Sequence, residues 1–182
     1  MNAMSHGSQD LYATFLEKGR GFSAGQVSTV AIIAAFGAIV GGIIFGTLSQ
    51  RLGRRNVIML CAILGAFCIP LWAFGSNIAI LALGAFALQF FVQGSWGVMP
   101  AHLNELSPPD VRGTFPGFTY QLGNLAAAGI AQYQATLAQH GTYGSAIAKT
   151  EAAILALVVV LSALGYLFKP ENRAAELSHS AK

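Results

Sequence analysis

Long unbroken apolar runs, separated by short polar connectors, set the pattern of this chain. The runs fall at 27–48, 57–74, 78–99, 115–137 and 152–168. A bilayer core of about 30 Å takes about 20 apolar residues of helix, and these runs approach or meet that length. They are continuous rather than alternating, which predicts helices rather than the strands of a barrel. The run at 115–137 is more polar than the others, and the one at 152–168 is short but dense in Leu and Val. The connectors carry the breakers and the charges. Residues 17–25 hold Glu17, Lys18, Arg20 and three glycines, and residues 49–56 hold Arg51, Arg54 and Arg55. Residues 75–77 are a minimal turn, 105–114 hold Pro108, Pro109, Asp110 and Arg112, and 138–151 hold His140, Gly141 and Lys149. Residues 1–16 are too short to span alone and read as the later part of a helix whose start is missing; 169–182 read as a polar tail.

Composition agrees with lipid as the solvent. The chain has 182 residues, 54% hydrophobic and 9% charged, with a mean hydropathy of +0.59. Soluble domains carry about 25% charged residues, so this chain has too few to cover a water-facing surface. The expected fold is all-α, a polytopic membrane helix bundle. Cys61 and Cys68 lie on one run, about 10 Å apart along a helix, too far for a disulfide. The four histidines are scattered without metal-ligand spacing. No basic cluster interleaved with aromatics points to nucleic acid, and no cleavable signal peptide is read at the start of the chain. No cofactor or metal is expected.

The placement of Lys and Arg orients the bundle. Arg51, Arg54, Arg55, Arg112, Lys169, Arg173 and Lys182 fall in one set of connectors, and Lys18, Arg20 and Lys149 in the other. Positive residues stay inside, so the first set and the C-terminus are expected in the cytoplasm, with the protein multi-pass in the cell membrane.

The connector Gly46-Thr-Leu-Ser-Gln50-Arg51-Leu-Gly53-Arg54-Arg55 combines a glycine that lets helices approach, a glycine suited to a tight turn and arginines that can pair with helix ends. It resembles the G-x-x-x-D-[RK]-x-G-[RK]-[RK] loop signature of the major facilitator superfamily. Gln50 replaces the acidic residue of that signature, which removes one charge partner. The plainer reading is a basic loop that only sets topology. Pro100-Ala-His-Leu-Asn-Glu105-Leu-Ser-Pro108-Pro-Asp-Val-Arg112-Gly113 resembles the P-x-x-x-x-E-x-x-P-x-x-x-R-G pattern of the same superfamily. Glu105 and Arg112 are expected to form an ion pair there; the alternative is a proline-rich turn with solvated charges. The resemblance implies the second six-helix half of a twelve-helix transporter, helices 7 to 12, with helix 7 truncated.

A polar face stands out near the start of the chain. At 100° per residue, Asn2, Ser5, His6, Gln9 and Asp10 lie within an arc of about 140°. Ionisable groups at membrane depth are costly and usually face a bundle interior or a wet cavity. An imidazole exchanges a proton near neutral pH, and Asp10 is one turn away from His6. The string from Asn2 to Thr14 is similar to N-x-x-S-H-x-S-Q-D-x-x-x-T, the helix 7 motif of monocarboxylate–proton symporters related to the fungal lactate/pyruvate permeases, which are grouped with the bacterial sialate–proton symporters. Asn2, Ser5, His6, Ser8, Gln9, Asp10 and Thr14 all match. The resemblance implies substrate recognition and proton coupling here; a polar helix end bonded to its neighbours is the alternative. A second stripe, Gly117, Gln121, Asn124 and Gln132, contains Tyr120-Gln121-Leu-Gly-Asn124. This resembles helix 11 of the same permeases, where the Gln and Asn are implicated in substrate handling. Gln89, Gln93 and Trp96 share a third face, open either to the pathway or to packing.

These readings converge on a proton-coupled permease half for small carboxylates such as lactate or pyruvate. Its expected partners are the lipid bilayer, the carboxylate with its proton, and an N-terminal six-helix half or a complementing copy. No Lys or Arg lies inside the long runs away from their ends, so the anion clamp is expected in that other half. A sialate, sugar-acid or aromatic-acid transporter and a non-transporting membrane fragment are the competing readings. No nucleophile, metal or cofactor arrangement points to an enzyme.

Overall fold

The computed structural model describes residues 1–168; the expected polar tail lies outside the described residues. Among the described residues the chain is helical and has no strand. It opens with α1 (Asn2–Gln9), a turn at Asp10 and Leu11, and the single turn α2 (Tyr12–Thr14), which runs into a π-type turn over Phe15–Gly19. Then come α3 (Ala24–Leu52), α4 (Arg54–Phe74), α5 (Ile78–Leu106), α6 (Phe115–Ala127), α7 (Ile130–Gln139) and α8 (Tyr143–Phe168). By length and composition α3, α4, α5 and α8 can each cross a membrane.

Local chemistry explains where the helices depart from the apolar runs. Helix α3 begins before residue 27 because Ser23 and Gln26 form a reciprocal capping box, which satisfies helix-start donors. Helix α5 starts where Asn77 Oδ1 accepts from the Ile80 amide at 3.0 Å, and it continues through Pro100 to Leu106. Two runs need correction. The run at 115–137 is not one helix: it breaks at Ala128 and Gly129 into α6 and α7, glycine being among the weakest helix formers. The last helix starts well before residue 152, because Thr142 and Ser145 cap each other's backbone amides. Lys149 and Glu151 are therefore helical rather than part of a connector.

Packing is inside-out relative to a soluble protein. On α3 the stripe Ile32, Phe36, Ile39 and Ile43 is more than half exposed at every position, and α8 presents Leu157, Val160 and Leu161 in the same way. Such continuous apolar faces suit lipid, and the polar side chains turn inwards instead. Helices associate there through small residues that let backbones meet. A Cβ on Gly37 would collide with the Phe86 carbonyl, and one on Gly41 with the Phe90 carbonyl. Gly46 faces Gly97 at the same seam, where an added Cβ would lie 3.1 Å from the Gly97 carbonyl oxygen. Helices α3 and α5 thus touch along much of their length. Beside them Tyr12 stacks on the fully buried Trp72 at 5.0 Å between ring centroids, and its hydroxyl donates to the Trp72 carbonyl at 3.1 Å. This anchors the short first helices to α4. Cys61 and Cys68 are free thiols.

Gly41→Ala is expected to destabilise the purified protein by about 1–3 kcal/mol, the usual cost of overpacking, read as a lower melting temperature in detergent. Gly42→Ala, whose Cβ would meet only the Gln93 carbonyl at 3.7 Å, is expected to melt like the wild type. Equal melting of the two variants contradicts the α3–α5 seam.

Candidate functional site

Asn2, Ser5 and Gln9 on the polar face of α1 bond to neighbouring helices. Asn2 Nδ2 donates to the Tyr120 carbonyl at 3.1 Å and to Asn124 Oδ1. Gly123 makes room for this, since a Cβ there would lie 2.7 Å from Asn2 Oδ1. Ser5 Oγ accepts from Trp96 Nε1 at 2.5 Å and from Gln93 Nε2 at 3.3 Å. Gln9 Nε2 donates to Gln89 Oε1 at 2.8 Å, and Gln89 Nε2 donates onward to Ser8 Oγ at 3.0 Å. Ser8 is buried and returns its own proton to the Met4 carbonyl at 2.8 Å. The chain of bonds runs from α6 through α1 to α5, each donor matched to an acceptor, as burial of polar groups requires.

His6 and Asp10 are the ionisable members of this face. His6 Nδ1 lies 2.8 Å from Asp10 Oδ2, with the two side chains 36% and 40% exposed. They are held one turn apart by the backbone bond from Asp10 N to the His6 carbonyl at 3.1 Å, and the regular helix stops just there. The pair is partly exposed, and the carboxylate orients the imidazole by fixing which ring nitrogen carries the hydrogen. The contact uses Nδ1 of His6 and leaves its second ring nitrogen outside the pair.

Asn2, Ser5, His6, Gln9, Asp10 and Asn124, all expected from the sequence, line one cavity of about 420 Å³ with Gln93, Trp96 and Tyr120. Trp96 and Tyr120 meet edge to face at 5.7 Å. Gln121 is not part of that lining. It is exposed, and its Oε1 accepts from Asn124 Nδ2 at 3.3 Å, so it steadies Asn124 from outside. Gln132 also leaves the expected stripe: the break before α7 shifts the phase, and Gln134 turns inwards in its place.

At the arginine-rich end, Gly53 adopts φ 90° and ψ 146° between α3 and α4, a region that costs residues with a side chain on the order of 1–3 kcal/mol. The expected Glu105–Arg112 pair is not formed. Glu105 Oε1 accepts instead from Arg54 Nε at 3.0 Å and Nη2 at 2.9 Å, because the tight α4–α5 hairpin brings the start of α4 beside the end of α5. Arg54 also donates to Ser49 Oγ at 2.6 Å. Arg112 reaches back to the Ser107 carbonyl at 3.4 Å, across the proline turn. Arg55 donates to the Gly165 carbonyl at 2.6 Å and lies over the Tyr166 ring, so it ties the last turns of α8 to α4. Arg51 is exposed.

Two buried polar residues escape a reading of the apolar runs. Gln134 and Glu151 are both fully buried. The signal for Glu151 is present at helical spacing: Ile147 and Leu155, four residues before and after it, are also fully buried, and the Thr142–Ser145 cap extends the helix far enough to include all three.

Comparison with known proteins follows the same line. No solved structure matches the chain. A carboxylic acid transporter protein homolog of Saccharomyces cerevisiae is 37% identical over 163 residues, covering 86% of this chain and 26% of that protein. The glucose transporter GlcP of Staphylococcus epidermidis is 37% identical over 78 residues, 43% of this chain and 18% of its own length. A probable 4-methylmuconolactone transporter of Cupriavidus pinatubonensis is 25% identical over 166 residues, 88% of this chain and 37% of its own. The chain therefore spans between about a fifth and about two fifths of the length of these relatives. The family model described as Major Facilitator Superfamily matches residues 1–182, and with the membrane-length helices and their apolar outer faces this places the chain in the major facilitator superfamily of membrane transporters.

Proposed function

We propose that this chain forms half of a proton-coupled permease for small monocarboxylates such as lactate or pyruvate, with an N-terminal half or a complementing copy supplying the rest of the pathway. The observation that carries the reading is the His6–Asp10 pair, 2.8 Å apart, on the wall of a cavity that also holds the amides of Gln9, Gln93 and Asn124. A carboxylate leaving water needs donors or a positive charge. A protonated imidazole supplies the charge and the amides supply donors, so proton and anion can load together. No Lys or Arg lines this cavity, which leaves further charge to the other half. The carboxylic acid transporter homolog among the relatives supports this choice of substrate class.

A second reading rests on the same lining. Amides beside the paired rings of Trp96 and Tyr120 suit a polyhydroxylated ligand as well, and the relatives include a glucose transporter. A sugar acid such as sialate would use both features. Competition against labelled lactate uptake by unlabelled pyruvate and by sialic acid separates the readings.

Two outcomes are expected. In vesicles containing the transporter, lactate uptake is expected to be greatest at the acid end of an outer-pH series, because proton and anion load together. His6→Ala and Asp10→Asn each cut uptake at the acid end by at least about tenfold, equivalent to about 1.4 kcal/mol, with membrane levels unchanged. Unaltered uptake in both variants contradicts the site. At the arginine-rich end we interpret the Arg54–Glu105 clamp as a cytoplasmic latch that opens as the halves rock. Exposed pairs contribute about 0.2–1 kcal/mol, so Glu105→Gln is expected to change the transport rate by a few-fold at most, and Arg112→Gln less. A larger effect at Arg112 than at Glu105 would reverse the assignment.

A further inference from the structure

Glu151 is fully buried in α8, and neither carboxylate oxygen has a hydrogen-bond partner. It sits about 12 Å along the helix from Tyr143, at 1.5 Å per residue, well inside the apolar span. Its neighbours across the interface are specific. Gly7 of α1 faces it so closely that a Cβ there would collide with Glu151 Oε2, so the glycine leaves the space that the carboxyl fills. Gln134 of α7 donates to the Gly7 carbonyl at 2.7 Å, and its own Oε1 is buried without a donor. Three helices thus meet around Gly7 with three buried side-chain oxygens that lack a donor. An ionised carboxylate left in such a place is expensive, and the group takes a proton instead. A bound proton also supplies the O–H donor that these oxygens lack.

The charges around Glu151 do not replace that proton. Ahead of α1, Met1 makes no ion pair with it among the described residues. His6 and Asp10 are paired to each other and line the cavity on the polar face of α1. The π-type turn carries Glu17 and Lys18, both exposed. The exposed His140 follows the last residue of α7. Helix α4 brings the thiols of Cys61 and Cys68, with Arg54 and Arg55 at its first residues. On α8 itself Lys149 is exposed.

We propose that Glu151 is a second proton-binding site, loaded while α1 packs against α8 and emptied to water when α1 moves away. It rests on the permease reading for its role in transport, though not for the bound proton itself. Helix α1 then lies between two proton sites, the His6–Asp10 pair on its cavity side and Glu151 behind Gly7. Its movement changes the hydration of both.

Infrared spectroscopy of the purified chain in lipid nanodiscs tests the bound proton directly. At pH 7 the carbonyl stretch of a protonated carboxylic acid is expected in the wild type and lost in Glu151→Gln; if that variant does not insert, Glu151→Asp is expected to shift the band. Identical spectra in wild type and variant mean an ionised Glu151 and overturn the proposal. The transport arm uses vesicles: Glu151→Gln is expected to lose uphill, proton-driven lactate accumulation and to keep lactate–lactate exchange. Uphill accumulation at the wild-type level also overturns it. A wild type that moves no lactate would reject the carboxylate reading, and the infrared result would still decide whether Glu151 holds a proton.

Discussion

A polar group without a partner in hydrocarbon costs several kcal/mol, and α1 carries Asn2, Ser5, His6, Ser8 and Gln9 into the seam of this bundle. The structure is arranged so that each of these finds a partner. Asn124 and the Tyr120 carbonyl serve Asn2, Trp96 and Gln93 serve Ser5, Gln89 serves Gln9 and Ser8, and Asp10 serves His6. Because the partners come from α5 and α6, the hydrogen-bond chain sets how α1 is rotated against both. The exposed Ile32, Phe36, Ile39 and Ile43 of α3 and Leu157 and Leu161 of α8 need no such pairing.

Close backbone contact is the complementary constraint. Gly37 and Gly41 of α3 let α5 approach to a distance that any Cβ would prevent, and α5 carries Gln89, Gln93 and Trp96 to the polar face of α1. Helix α1 is treated differently from these long helices. It is interrupted at Asp10 and Leu11 and again by the π-type turn at Phe15–Gly19, and π-type turns recur at functional sites. A short, interrupted element held by hydrogen bonds can shift between arrangements more readily than a long helix locked by glycine contacts.

Much of this was legible in the sequence. The apolar runs located α3, α4 and α5, since the hydrophobic demand of a bilayer is written residue by residue. The spacing of Asn2, Ser5, His6, Gln9 and Asp10 placed them on one face, and the structure puts all five on one cavity. What was not legible depended on local backbone choices or on distant partners. The kink at Gly129 moves Gln132 out and Gln134 in. The Thr142–Ser145 cap draws Glu151 into a helix where charge alone suggested a loop. The partner of Glu105 is Arg54 rather than Arg112 because two helices lie side by side, a fact that spacing along the chain does not contain.

The central claim is that the polar face of α1 borders water rather than lipid. Thiol accessibility tests it most directly: with Cys61 and Cys68 replaced by alanine, a single cysteine is placed at His6 or, for comparison, at Ile39 on the exposed stripe of α3. The account predicts that a membrane-impermeant thiol reagent modifies the cysteine at position 6 in native membranes and spares the one at position 39. Labelling at 39 with none at 6 would contradict it.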